Sequence, residues 1–149
     1  TLHANSANQT LDRIINMFPH EKRNQLLMDL SLNLRAIVSQ RLIKRKGGGR
    51  VAAIEIMLRS PLIADLIFKG EVAGIKEVMA KSVDLGMKTF DQALFDLYES
   101  DLITYEDALR NADSANELRL RIKLEGKESK KSDLNAGLDH LALIKKDDD

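Results

Sequence analysis

Cysteine and tryptophan are absent from this chain, proline occurs twice, and aromatic residues make up 4% of it. Without cysteine there is no disulfide, no thiolate zinc site and no cysteine nucleophile, and a reducing cytosol is the compartment that fits. An excess of either charge is also missing: Lys and Arg number 23, as do Asp and Glu. Such a balance gives no long-range attraction to nucleic acid or to an anionic membrane. No apolar run approaches the roughly 20 residues that span a bilayer. The opening Thr1-Leu2-His3-Ala4-Asn5 lacks the basic-then-apolar run of a signal peptide, and its first residue is not methionine, which is compatible with a fragment. A phosphate-binding loop, G-x-x-x-x-G-K-[ST], is missing as well; it is what surrounds phosphates with amides, a lysine and a magnesium-bound hydroxyl. Gly47-Gly48-Gly49-Arg50 has the glycines without the following Lys-Ser/Thr, and reads as a hairpin turn. His3, His20 and His140 are far apart, with no H-E-x-x-H, so neither a zinc site nor a triad is indicated.

What is present suits one folded domain: 149 residues, of which 44% are hydrophobic. Leu11, Ile14, Ile15 and Phe18 recur at the spacing of one buried helix face. Asn5 or Ser6 can cap that helix, and Pro19 ends it while being able to open the next. The second helix is expected to carry Leu27, Leu30, Leu34, Ile37 and Val38 and to run to about Gln40. Arg41 to Lys46, the three glycines, and Arg50 to Leu58 read as strand, turn, strand. The second strand is nearly all apolar, as for a strand covered on both faces. Two strands alone are marginal, so the hairpin is expected to join a larger sheet or to lie under helices.

Ser60-Pro61 is a helix start, a capping hydroxyl with proline in the first turn. A further helix is expected from Glu71 to about Lys81 on Val72, Ile75 and Met79, with a break at Gly86. Thr89 to Glu99 is expected to bury Phe90, Ala93, Leu94 and Leu97. Thr104-Tyr105-Glu106-Asp107 resembles a capping box opening a helix to about Asn111. Over Glu117 to Leu124 the alternation of leucines and isoleucine with basic residues argues for strand, whereas Asp113-Ser114 argues for a helix start; both stay open. Residues 1–125 form the expected domain, and 126–149, rich in Lys, Ser and Asp, a flexible charged tail. The basic cluster Arg41, Lys44, Arg45, Lys46 and Arg50 reads as a solvated hairpin edge. It also raises a helix-turn-helix DNA-binding alternative, which lacks a basic recognition helix. A stand-alone helical adaptor module is the other alternative.

Three segments together resemble one family. Thr1-Leu2-His3-Ala4-Asn5-Ser6-Ala7, with Thr10 to Ile15 and Phe18-Pro19, resembles the end of the histidine box and the following helix of type IV pilus retraction ATPases of the PilT/PilU family. Gly47 to Ile56 resembles the family's glycine-turned hairpin, and Leu85-Gly86-Met87-Lys88-Thr89-Phe90-Asp91 its G-M-x-T-[LF]-D segment. The likeness covers Thr1 to Leu124. It implies a mainly α fold with a small antiparallel β-hairpin, the C-terminal part of a RecA-like ATPase domain whose Walker A and Walker B segments lie upstream. It further implies a cytoplasmic homo-hexamer at the inner-membrane base of the pilus machine, peripheral to the membrane, using ATP and Mg to drive retraction and twitching motility. Its implied partners are the motor platform protein and a paralogous retraction ATPase, and no nucleic acid. No hydrolysis is expected of this segment alone.

By the same resemblance His3 is the histidine-box residue near the γ-phosphate, and Arg50 and Glu55 match family positions that equally suit pairing inside the sheet. The PilT branch carries an A-I-R-N-L-I-R-E helix required for retraction. Leu62, Ile63, Ala64, Asp65, Leu66 and Ile67 stand in its place as the implied partner contact, with Ala64 where the arginine would be. That departure, together with Asp113 to Arg119, resembles the PilU branch.

Overall fold

The computed structural model describes residues 4–127. Ser6 lies in extended backbone and its hydroxyl accepts from the Gln9 amide, opening α1 (Ala7–Asn16). Such a cap satisfies an amide that has no partner inside the helix. Pro19 then separates α1 from a 3-10 turn at His20–Lys22 and from α2 (Arg23–Asn33).

The second helix stops well short of Gln40. Leu34 is already extended, and β1 occupies Ala36–Lys44. Leu30, Leu34, Ile37 and Val38 keep a helical spacing, but Ile37 and Val38 are β-branched and stiff at χ1. They pair instead with Met57 and Ile56 of β2 (Arg50–Leu58). The antiparallel register runs unbroken from Ala36 opposite Leu58 to Lys44 opposite Arg50. Gly47, Gly48 and Gly49 close the hairpin with φ of 79°, 108° and 75°, a region open to glycine at little cost. One face of β2, at Ala53, Glu55 and Met57, is buried, and the opposite face at Ile54 and Ile56 is half-buried. Lys88 adds a single bridge to Ile56, with N–O distances of 2.8 and 2.9 Å.

The remaining elements are helical. Ser60 accepts from the Ile63 amide to open α3 (Pro61–Lys69), and Gly70 stops it in the left-handed region with φ 73°. A 3-10 turn at Val72–Gly74 precedes α4 (Ile75–Lys81). Thr89 and Gln92 form a complete capping box at the start of α5 (Phe90–Glu99). Thr104 caps α6 (Tyr105–Asn111). Residues 117–124 are helical, within α7 (Ala115–Glu125). Leu118 and Ile122, four apart, are buried, while Leu120 and Leu124 are exposed; helical rather than alternating burial decides that segment. Of the expected tail, 128–149 lies outside the described residues. No helix among the described residues is long and apolar enough to cross a membrane.

Two hydrophobic clusters sit on the inner face of the hairpin. One gathers Leu11, Ile63, Ile67, Ile75 and Met79 around Ile37 and Met57, at the open end of the ladder. The other gathers Phe90, Leu94, Phe95, Ile103 and Leu118 around Ile43 and Ala53, toward the glycine turn.

Candidate functional site

Reading β1 inward gives Ile37, Ser39, Arg41 and Ile43, and reading β2 inward gives Ala53, Glu55 and Met57, because successive side chains alternate faces. The apolar members feed the two clusters. Ser39, Arg41 and Glu55 stand between them as a polar hub.

Glu55 is 2% exposed. Its Oε1 accepts the Ala7 amide at 2.7 Å, and the backbone at Phe90 also favours the ionised carboxylate. Ala7 and Phe90 are the first residues of α1 and α5, so one side chain serves two helix N-termini, where unpaired amides and the helix dipole favour an anion. Burial nevertheless pushes the carboxyl above the ordinary glutamate range. The Ala7 amide opposes that rise most strongly, Asp113 adds to it, and the backbone at Phe90 and Arg41 oppose it.

Arg41 spreads all three of its guanidinium nitrogens. Nε and Nη2 donate to the Asn5 carbonyl at 3.2 and 2.9 Å, and Nη1 to the Asn111 carbonyl at 2.9 Å. Nη2 also meets Asp113 Oδ1 at 2.7 Å. Beneath, the guanidinium carbon lies 3.9 Å from the centre of the Phe90 ring, a favourable cation–π placement. Asp113 passes the charge on: its Oδ2 is 3.2 Å from Lys76 Nζ, which is 3.7 Å from Asp91 Oδ2. Asp91 in turn accepts the amides of Asp113 and Ser114 at 2.7 and 3.1 Å, bracing the start of α7.

His3 lies outside the described residues; the next residues along, Asn5 and Ala7, are the ones the hub holds. On α3, Ile63 and Ile67 are core side chains at 0% and 2% exposure, so they have no surface to offer a partner. Leu66 packs on the first cluster and Ala64 is half-buried. The open face is Leu62 and Asp65, with Phe68 beside them and Lys69 Nζ paired to Asp65 at 2.7 Å. Arg50 is exposed at the start of β2. Of the basic hairpin residues, Lys44 and Arg45 are exposed as a solvated edge would be, and Lys46 pairs with Asp101. Arg41 departs from that reading because its parity on β1 turns it inward; the alternation with Ile37, Ser39 and Ile43 is the signal that could have found it.

The chain, aligned with known proteins, is 56% identical over 150 residues to the type IV pilus ATPase PilU of Pseudomonas aeruginosa, covering all of this chain and 39% of that protein. It is 42% identical over 112 residues to the type IV pilus retraction ATPase PilT of the same organism, covering 75% of this chain and 33% of that one. Among solved structures, the pilus retraction motor PilT with bound ADP aligns with a TM-score of 0.70 at 36% identity, over 80% of this chain and 33% of its own. The Legionella pneumophila ATPase DotB aligns with a TM-score of 0.60 at 20% identity, over 72% and 29%, which speaks to the fold alone. No family model matches.

The fold class is therefore the C-terminal part of a RecA-like ATPase domain, since the matched parts are the carboxy-terminal portions of these ATPases. Sequence identity then narrows the class: the chain belongs to the PilT/PilU family of type IV pilus ATPases, with the higher identity to PilU. It spans about two fifths of the PilU sequence (39%).

Proposed function

We propose that this chain is the carboxy-terminal region of a type IV pilus retraction motor, an ATPase that couples ATP hydrolysis to pilus retraction and twitching motility. The observation that carries this reading is the 56% identity to PilU along the entire chain. ATP, with magnesium, is the substrate of the whole protein. The residues of this chain are not expected to form such a site by themselves, because the sequence holds no phosphate-binding loop. This region supplies the packing around the hub and, by resemblance, His3 near the γ-phosphate.

In the same reading the whole protein is a homo-hexamer, cytoplasmic and peripheral to the inner membrane at the pilus base. It works with the motor platform protein and a paralogous retraction ATPase. The face of α3 open to such a partner is Leu62, Asp65 and Phe68.

Calorimetric titration of ATP with magnesium, run on this chain and on the whole protein in parallel, tests the proposal. Binding by the whole protein alone is the expected result. Absence of binding by the whole protein would overturn the motor reading, and tight binding by this chain would overturn the upstream placement of the phosphate site.

A further inference from the structure

The segment entering α1 has two anchors on the hairpin, and they differ in reach. Glu55 holds the Ala7 amide from within the hairpin. Arg41 grips the Asn5 carbonyl with two nitrogens and carries the connection on to the Asn111 carbonyl and the Asp113 carboxylate. Asn111 is the last residue of α6. Its carbonyl is one of those a helix C-terminus leaves unpaired, where a cation is favoured by the helix dipole. Asp113 immediately precedes Ser114, the cap of α7.

We infer that Arg41 is a positioning residue that couples the entry of α1 to the α6–α7 junction, so that displacing one displaces the other. Within the proposed motor, on which this last step rests, the entry of α1 follows the histidine box. Arg41 thereby joins the nucleotide side of the domain to its carboxy-terminal helices.

The chemistry of the link is specific to arginine. Three separate acceptors, at Asn5, Asn111 and Asp113, lie around one guanidinium whose face rests on Phe90. A planar fork with five donors can span them at once, whereas a lysine ammonium carries its three donors on one atom and cannot reach acceptors set around separate nitrogens. The Phe90 ring, 0% exposed, fixes the plane from below. The Asp113 carboxylate reaches the entry of α1 through Arg41, whose Nη2 touches both it and the Asn5 carbonyl.

Amide hydrogen exchange on the whole protein, read over residues 7–11 of α1 and 115–118 of α7, tests the coupling in Arg41→Lys, Asp113→Asn and the double variant. Asp113→Asn is expected to speed exchange in α1 about tenfold through Arg41, and to add nothing once Arg41 is lysine, the non-additivity of residues in one network. Arg41→Lys is expected to speed both ends and to lower kcat for ATP hydrolysis more than it changes KM. If Asp113→Asn leaves α1 exchange unchanged, or if the two substitutions simply add, the inference is overturned. Should Arg41→Lys fail to fold, Asp113→Asn alone decides, because Asp113 lies at the rim of the hub rather than in either cluster. A wild-type protein without ATP hydrolysis would defeat the functional reading while leaving the exchange result to stand or fall separately.

Discussion

The two clusters on the hairpin's inner face differ in what they are made of. The one around Met57 consists of alanine, leucine, isoleucine, valine and three methionines, without an aromatic ring among its buried members. Its walls are α1, α3, α4 and the 3-10 turn at Val72–Gly74. The one around Phe90 also holds Phe95, with Tyr98 and Tyr105 packed against the cluster, their own ring centroids 6.0 Å apart. Both of its phenylalanines carry a guanidinium, Arg41 on Phe90 and Arg121 on Phe95. Methionine fills irregular gaps between short elements because its chain is unbranched and adaptable. Aromatic rings impose orientation and offer a face to a cation. The lesson is that the charged hub is seated from the aromatic side, while the methionine side provides bulk burial.

The largest expected effect comes from removing the ring that supports Arg41. Phe90→Ala should destabilise the chain by about 3–5 kcal/mol in urea unfolding, as buried Phe truncations do, and it also takes away the π face on which the guanidinium rests. In the other cluster Met79→Leu should cost less than about 1.5 kcal/mol, since volume-conserving exchanges are tolerated in an adaptable core. Equal losses from the two substitutions would erase the distinction between the clusters.

The smallest effect is a change of pH slope at the hub between them. Because burial raises the Glu55 carboxyl above the ordinary range, the folded chain keeps this proton at pH values where the unfolded chain has released it. Its contribution to stability is therefore complete below the ordinary glutamate pKa and declines as pH rises through the raised value. Glu55→Gln cannot ionise and keeps an oxygen for the Ala7 amide. Its stability relative to the parent should be level at low pH and improve as pH rises through that window. Denaturant midpoints of the two chains across pH check this, and parallel profiles would mean that Glu55 titrates alike in both states.

Much of the architecture was legible wherever the signal was local. Ser60-Pro61, Thr104 and the three glycines each act on their own neighbours, and each forms the cap or turn expected of it. The start of β1 was not legible, because Leu34, Ile37 and Val38 satisfy a helical period equally well. The partner strand, invisible in the local window, decides for the ladder. Over Glu117 to Leu124 the alternation was real in the sequence, but packing against α5 and α6 selects the four-residue repeat of Leu118 and Ile122. The hub was the least legible part. Glu55 and Arg41 matter through Ala7, Asn5 and Asn111, residues that lie 36 to 70 positions away, and no short motif encodes such distances.

Those separations also set an order of events at the ribosome. Of these partners Ala7 emerges first, yet the carboxylate that takes its amide is 48 residues behind it. Arg41 then waits for a carbonyl 70 residues further on. A growing chain delivering about 5–20 residues per second leaves α1 unanchored for seconds, and its last tie to the rest of the molecule closes only after α6 has been translated. A nascent chain stalled before Asn111 should therefore hold α1 without the Arg41 link to the α6–α7 junction.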